Sequence, residues 1–345
     1  MLVEILQDIF RDEANNELLD QIYFLLGEKH KLLIREDDDI EALMESSWYS
    51  GLKPSYQKTL EETIVWSIHN STRIPQCIIS GQPNAEYFGL AEAIKYLEQP
   101  FTILIENRLN DAPFIDCLIE HFPKESKKIR LFKDERWLKY GMGGGSTILQ
   151  EIEAELKTFD NPVFIKHKHK YLRYFVLIDS DKKYPEMDLS TGKLNHIAEL
   201  DKYQIPYHIL EKREMENYLP DEAFEEITDN QDFIRAYLAL TPMQKDYFDI
   251  ENGFNNKKFD KLLPEERTFY KALDDSQKNI FRNSNLKKIN GSEVVNFKTS
   301  FPKLFSSSKV TKINLLKRCE HHSETNHPKD KRELPNLLSK INQLL

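Results

Sequence analysis

The chain predicts an α/β fold, a parallel four-stranded sheet flanked by helices in Rossmann-like fashion, with mainly helical regions on either side. Three observations carry this. Short apolar runs of strand length alternate with helical patterns of 10–15 residues between positions 98 and 222. The clearest run, YFVLIDSD (174–181), is apolar until it meets two aspartates. Three of the four candidate strands finish in an acidic residue. Strands alternating with helices are the pattern of βαβ units, which place helices on both faces of a parallel sheet.

Residues 1–97 read as mainly helical, because Ile5, Ile9, Phe10, Leu18, Leu19, Ile22 and Leu25 recur roughly at the helical period. The stretches LEETIVWSIHN and RIPQCIISG are ambiguous between helix and strand, and Asp37–Asp39 reads as a solvated acidic turn. FTILIE (101–106) is the first strand and APFIDCLIEHF the helix after it. KIRLFK (128–133) is the second candidate strand, followed by the loop GMGGGST (141–147) and the helix ILQEIEAELKTF. YFVLIDSD is the third strand, KLNHIAELDKY a further helix, and YHILE (207–211) the fourth strand, leading into REMENYL. Residues 223–345 read as mainly helical and basic. The expected division is therefore 1–97, 98–222 and 223–345.

Composition sets the function classes. The net charge of −9 excludes a protein that coats nucleic acid by bulk attraction, but not one with a local patch or a bound divalent ion. The charge is uneven: residues 281–345 hold 13 Lys/Arg against 5 Asp/Glu, a hint of an acidic partner or a nucleic-acid face. Three scattered cysteines (Cys77, Cys117, Cys319) do not describe a disulfide framework. No apolar run approaches membrane-spanning length and the first residues lack a signal-peptide pattern, so a cytoplasmic protein without a membrane partner is expected.

The strand ends carry the chemistry. Ligands of open α/β sheets bind at the carboxyl ends of the strands. There Glu106 ends the first strand, Asp179 and Asp181 the third and Glu211 the fourth, with Glu214 and Glu216 opening the next helix. Carboxylates gathered in one pocket repel one another and stay ionised only with a cation among them. Mg²⁺ and Mn²⁺ are the hard ions that prefer such oxygen donors, and one or two of them can polarise a phosphoryl oxygen and activate water. The expected chemistry is phosphodiester cleavage or transfer.

The order ILIEN (103–107), GMGGGST (141–147), LIDSD (177–181) and LEKREMENYL (210–219) resembles the TOPRIM domain shared by topoisomerases, primases and OLD-family nucleases, the last motif looking most like the OLD-like branch. The resemblance covers about 125 residues. It implies a metal-dependent nuclease acting on DNA or on RNA, including tRNA, of the kind that serves as effector of prokaryotic anti-phage defence. It implies Glu106 as metal ligand or general acid/base, Asp179 and Asp181 as the metal-binding pair, and Glu216 as an additional ligand. The family usually has glycine after the first glutamate, where this chain has Asn107. It usually has an acidic residue four positions on, where this chain has Asn110 followed by Asp111, which makes Asp111 and Glu214 further metal candidates. OLD-like proteins commonly join TOPRIM to an ABC-type ATPase. No Walker A sequence is present here, so the ATPase would be a separate partner; self-association is left open.

Gly143, Gly144, Gly145 and Ser146 are candidate phosphate contacts through backbone N–H groups. Lys182 and Lys183 are candidates for the same role, and Lys212 and Arg213 for stabilising developing charge. FIKHKHKYLRY (164–174) interleaves basic and aromatic residues, as a nucleic-acid path or an exposed loop. Cys319, His321, His322 and His327 fit zinc spacing poorly. Competing readings are primase-like nucleotidyl transfer and a TOPRIM fold kept only for interaction.

Overall fold

A computed structural model describes residues 1–27, 29–143, 147–283, 297–320 and 332–345. Two parallel sheets organise them. The first has the order β2-β1-β3, built from β1 (Leu2–Ile5), β2 (Lys31–Leu33) and β3 (Cys77–Ile79). Its helices are α1 (Asn16–Leu25), α2 (Asp37–Glu45), α3 (Pro54–His69) and α4 (Leu90–Glu98).

The N-terminal region is thus α/β, which corrects the expectation of a mainly helical one. The helical count began inside a strand: Val3 and Ile5 are buried in β1, and Glu4 between them is buried too. Glu4 is tolerated there because Arg35 Nε donates to its carboxylate at 2.7 Å. Of the two ambiguous stretches, LEETIVWSIHN lies in α3 and RIPQCIISG supplies β3. The acidic run Asp37–Asp39 opens α2, favourable for the helix dipole, and Asp39 is buried with Gln7 N–H donating to it at 2.7 Å.

The second sheet has the order β5-β4-β6-β7, all parallel: β4 (Phe101–Ile105), β5 (Leu138–Met142), β6 (Tyr174–Ile178) and β7 (Tyr207–Ile209). Between the strands run α5 (Arg108–His121), α6 (Lys127–Asp134), α7 (Ile148–Thr158) and α8 (Thr191–Lys202). Every residue of β4 and β6 is buried, as expected of central strands covered on both faces.

KIRLFK is not a strand but the body of α6. Its buried residues, Ile129 and Phe132, stand three apart, the spacing of one helix face and not of a pleat. The strand is LKYGM, whose polar residues concealed it. Gly141 sits opposite Leu104 in the ladder, and a Cβ at 141 would come 2.5 Å from Leu104 Cδ2. The missing side chain thus leaves room for the Leu104 and Thr102 side chains of β4.

One face of this sheet packs Leu104, Val176 and Ile178 against Ile148 and Ile152 of α7 and Leu200 of α8. The other face packs Ile103, Ile105 and Leu177 against α5 and α6, and onward into the C-terminal helices α9 (Gln231–Leu238), α10 (Asp275–Asn283), α11 (Phe297–Phe305) and α12 (Glu333–Leu344). Members of this apolar cluster continue past Pro220 to Leu345, so the described C-terminal helices are part of the layer that covers the sheet. Each large apolar side chain buried there, such as Phe114 or Phe305, contributes roughly 1.5–3 kcal/mol. No helix among the described residues is long and apolar enough to cross a membrane.

Candidate functional site

The carboxyl ends of β4, β6 and β7 bring three loops together. After β4, Glu106 is half-buried and Asn107 caps α5, its Oδ1 accepting from Leu109 N–H at 3.0 Å and Asn110 N–H at 3.3 Å. Asn107 N–H in turn donates to Asp111 Oδ2 at 2.7 Å. The residue after the glutamate is therefore an N-cap in extended conformation, which needs no glycine. The same reciprocal bonding holds Asp111, the residue after Asn110, as a buried acid beside the half-buried Glu106.

After β6, Asp179 and Ser180 are buried and Asp181 is exposed. Ser180 Oγ donates to Lys212 O at 2.7 Å and Asp181 N–H donates to Arg213 O at 3.0 Å, which ties this loop to the one after β7. Asp181 adopts φ +54°, a left-handed conformation that aspartate tolerates better than most residues. Lys193, in the first turn of α8, reaches back to donate to the Asp179 carbonyl and pairs with Asp181 at 2.7 Å. This lysine was not legible as a site residue: its segment reads only as a helix, and nothing in its spacing marks the contact.

After β7, Arg213 Nε donates to Glu214 at 3.1 Å and its Nη2 to Asp249 at 2.8 Å. Asn217 of the ENYL segment accepts from Glu214 N–H at 3.0 Å and donates to the carbonyls of Lys245 at 2.8 Å and Phe248 at 2.9 Å. Tyr218 hydroxyl bonds to Glu333, which also accepts from His208 Nε2 at 2.9 Å and from Glu211 N–H at 2.8 Å. The conspicuous ENYL motif thus locks the loop to the C-terminal helices.

These loops bring Asp179, Glu106, Glu214 and Asp111 into one electrostatic neighbourhood. Burial raises the Asp179 carboxyl well above its ordinary range, and the negative charges of Glu106, Glu214 and Asp111 raise it further, opposed by Lys193. Asp179 Oδ1 is buried with no hydrogen-bond partner among the described residues. Among those residues no three His, Cys, Asp or Glu side chains stand in a ready chelating arrangement. The acids are close enough to repel without converging on one point.

The remaining candidates divide. Lys182 and Lys183 lie half-buried on the β6 loop, and Lys183 lines a small cleft of about 100 Å³ with Arg213, Asp249 and Glu266. Glu216 is buried, and its charge acts on the Tyr237 hydroxyl. Lys212 is a correction: it is sealed from solvent, pairs with Asp246 and donates to Arg318 O at 2.6 Å, so it cannot reach a substrate in this arrangement. Burial first, then the Arg318 charge, lowers its pKa. Gly143 N–H donates to Ile105 O at 2.8 Å and its missing Cβ leaves room for Ile148 of α7, a structural role. Gly144, Gly145 and Ser146 lie outside the described residues, as do His321, His322 and His327. Cys319 is buried.

The FIKHKHKYLRY segment turns much of its charge inward. Lys166 pairs with Glu92 at 2.9 Å in the interior, Tyr171 hydroxyl bonds the same carboxylate, and Arg173 is buried, donating to Gln99 O at 2.7 Å. Its buried residues Lys166, Tyr171 and Arg173 thus brace the interior, while Ile165, His167 and Lys170 stay exposed.

Fold and site together define a class: an α/β protein with parallel sheets and an acidic site at the strand carboxyl ends. Comparisons with protein-family models, with curated proteins and with solved structures give no match for this chain.

Proposed function

We propose that the chain is a metal-dependent nuclease of TOPRIM type, cleaving phosphodiester bonds of DNA or RNA at the carboxyl edge of the second sheet. The observation that supports this best is Asp179: a buried carboxylate with an unpartnered oxygen, placed where the charges of Glu106, Asp111 and Glu214 all bear on it. Burying such a group is unfavourable unless a cation compensates it.

The donor set fits a hard divalent ion, Mg²⁺ or Mn²⁺, since every donor is a carboxylate oxygen. Asp179, Glu106, Asp111 and Glu214 would hold it, with Asp181 at the rim. When bound, the ion would supply Lewis-acid polarisation of the phosphate and acidification of water. The chain's own residues prepare the site. Lys193 holds Asp181 and the Asp179 carbonyl, fixing the β6 loop. Arg213 holds Glu214 against Asp249, fixing the β7 loop. Lys182 and Lys183, on the same loop as Asp179 and Asp181, would supply positive charge to an incoming phosphate. A separate ATPase that restrains the nuclease, in an anti-phage defence role, belongs to the same proposal through the motif resemblance.

The test combines binding and cleavage. Purified protein is incubated with plasmid, single-stranded DNA and tRNA in Mg²⁺, Mn²⁺ or EDTA, and Mn²⁺ binding is measured separately by calorimetry. Metal-dependent cleavage lost in Glu106→Gln and Asp179→Asn, together with weakened Mn²⁺ binding, is the expected result. Cleavage that persists in EDTA, or in both variants, refutes it.

A further inference from the structure

The N-terminal unit carries a groove that the strand-end site does not use. About 450 Å³ in volume, it is walled by Tyr23 and Phe24 of α1 and by Tyr56 and Trp66 of α3. Phe24 is 72% exposed, unusual for a phenylalanine with no apolar partner above it. Its ring stands edge-on to Tyr56 at 6.5 Å, and Tyr23 lies 5.3 Å from the same tyrosine.

Cations border these rings. Lys31 Nζ stands 5.0 Å from the centre of the Trp66 ring, and the Arg73 guanidinium 5.7 Å from it. A cation held by an aromatic ring is positioned without being neutralised. Lys31 also lines a second cleft of about 560 Å³, shared with Lys124, Lys127 and Lys128, so groove and cleft meet at Lys31. None of these five cations makes an ion pair among the described residues. Burial and the nearby charges of Arg173, Lys31 and Arg73 lower the pKa of Lys128, the mark of positive charges crowded together. Among the described residues, one carboxylate, Glu62, lines the groove.

We propose that this surface binds single-stranded nucleic acid, with bases stacking on Phe24 and Tyr56 and phosphates running along Lys31, Lys124 and Lys127. Alternating rings and unpaired cations match a flexible chain of bases and phosphates. An acidic peptide would leave the exposed rings without a stacking partner. A bilayer would not follow a concave groove. The proposal stands on residues separate from the acidic site and holds whether or not that site cleaves.

Fluorescence anisotropy of a labelled oligo(dT) or oligo(rU) of about 15 nucleotides, long enough for one such site, tests it in EDTA. Wild type, Phe24→Ala, the double variant Lys124→Glu/Lys127→Glu and Asp179→Asn are compared over a salt series. All substituted surface positions are exposed (Phe24, Lys124, Lys127), and thermal melts check that the fold is kept. Phe24→Ala weakens binding roughly ten-fold, the scale of one lost base–aromatic stack. The double charge reversal weakens it at least ten-fold and makes the salt dependence shallower by about two phosphate contacts. Asp179→Asn binds as wild type, which separates this result from the fate of the nuclease reading. Absence of binding at low salt, equal binding by the groove variants, or capture of anionic vesicles without oligonucleotide would each overturn the proposal.

Discussion

Replacing Asp179 by asparagine removes a charge and keeps the shape, and its effect on stability can be worked from the site. The carboxyl is 7% exposed and its pKa is raised well above the ordinary 3.8, by burial and then by Glu106, Glu214 and Asp111. A folded-state pKa above the unfolded one means the folded protein holds a proton that the unfolded chain releases. The cost is absent below the ordinary value and grows with pH by about 1.4 kcal/mol per unit until the folded pKa is reached. At neutral pH the ceiling is about 4 kcal/mol. The amide carries its own burial cost, so the net gain for Asp179→Asn without metal is about 1–3 kcal/mol, or about 1–4 °C in Tm for a chain of this size. Scanning calorimetry in EDTA at pH 8 and pH 5 reads this, and the advantage shrinks at the lower pH. On the metal-site proposal, Mn²⁺ at a hundred times Kd stabilises the wild type by about 2.7 kcal/mol and the variant little, which offsets most or all of that difference. An asparagine variant less stable than wild type in EDTA, or equally stabilised by Mn²⁺, would refute the reasoning.

Three other substitutions bear on the same account. Lys212→Met removes the partner that Asp246 shares with Arg318 in the interior, and costs about 3 kcal/mol in urea denaturation; a normal melting curve with lost cleavage would restore Lys212 to the catalytic set. Gly143→Ala puts a Cβ 2.9 Å from Ile148 Cγ1 and 3.0 Å from its Cα, and lowers stability by about 1–3 kcal/mol, checked by the same melts. His30 is buried with Nε2 against the Leu97 carbonyl at 2.9 Å, and its pKa is pushed down to about 2 by burial first and by Arg173 next. A lowered histidine pKa means the unfolded chain takes up the proton, so stability is lost as pH falls below about 6.5, by up to about 1.4 kcal/mol per unit. His30→Gln flattens that part of the profile between pH 7 and pH 5, and an unchanged slope would contradict the assignment.

Much of the second sheet was legible in the sequence because its central strands are buried on both faces. FTILIE and YFVLIDSD carry no charged residue until they reach the edge where the acids stand, so strand and strand end are written together. The helices between them follow from apolar spacing, and the positions of Glu106, Asp111, Asp179 and Glu214 follow from those strand ends. What misled was local resemblance between short segments. KIRLFK has the apolar content of a strand, and only packing of Ile129 and Phe132 on one face makes it α6, while LKYGM pairs with β4 in a register that sets Gly141 beside the Leu104 side chain. MLVEI lay hidden at the head of a helical pattern because its pairing partners are β2 and β3, about 30 and 75 residues away in the chain.

By itself the sequence determined the strands β4, β6 and β7 and the edge on which the acids lie, since periodicity and burial are local properties of a chain. Tertiary structure alone decided which charged groups serve which purpose. Lys212 and Lys193 are alike as residues, yet one is sealed against Asp246 and the other reaches Asp181. The difference lies in the low dielectric around each group and in partners 34 and 12 positions away, which no local pattern encodes.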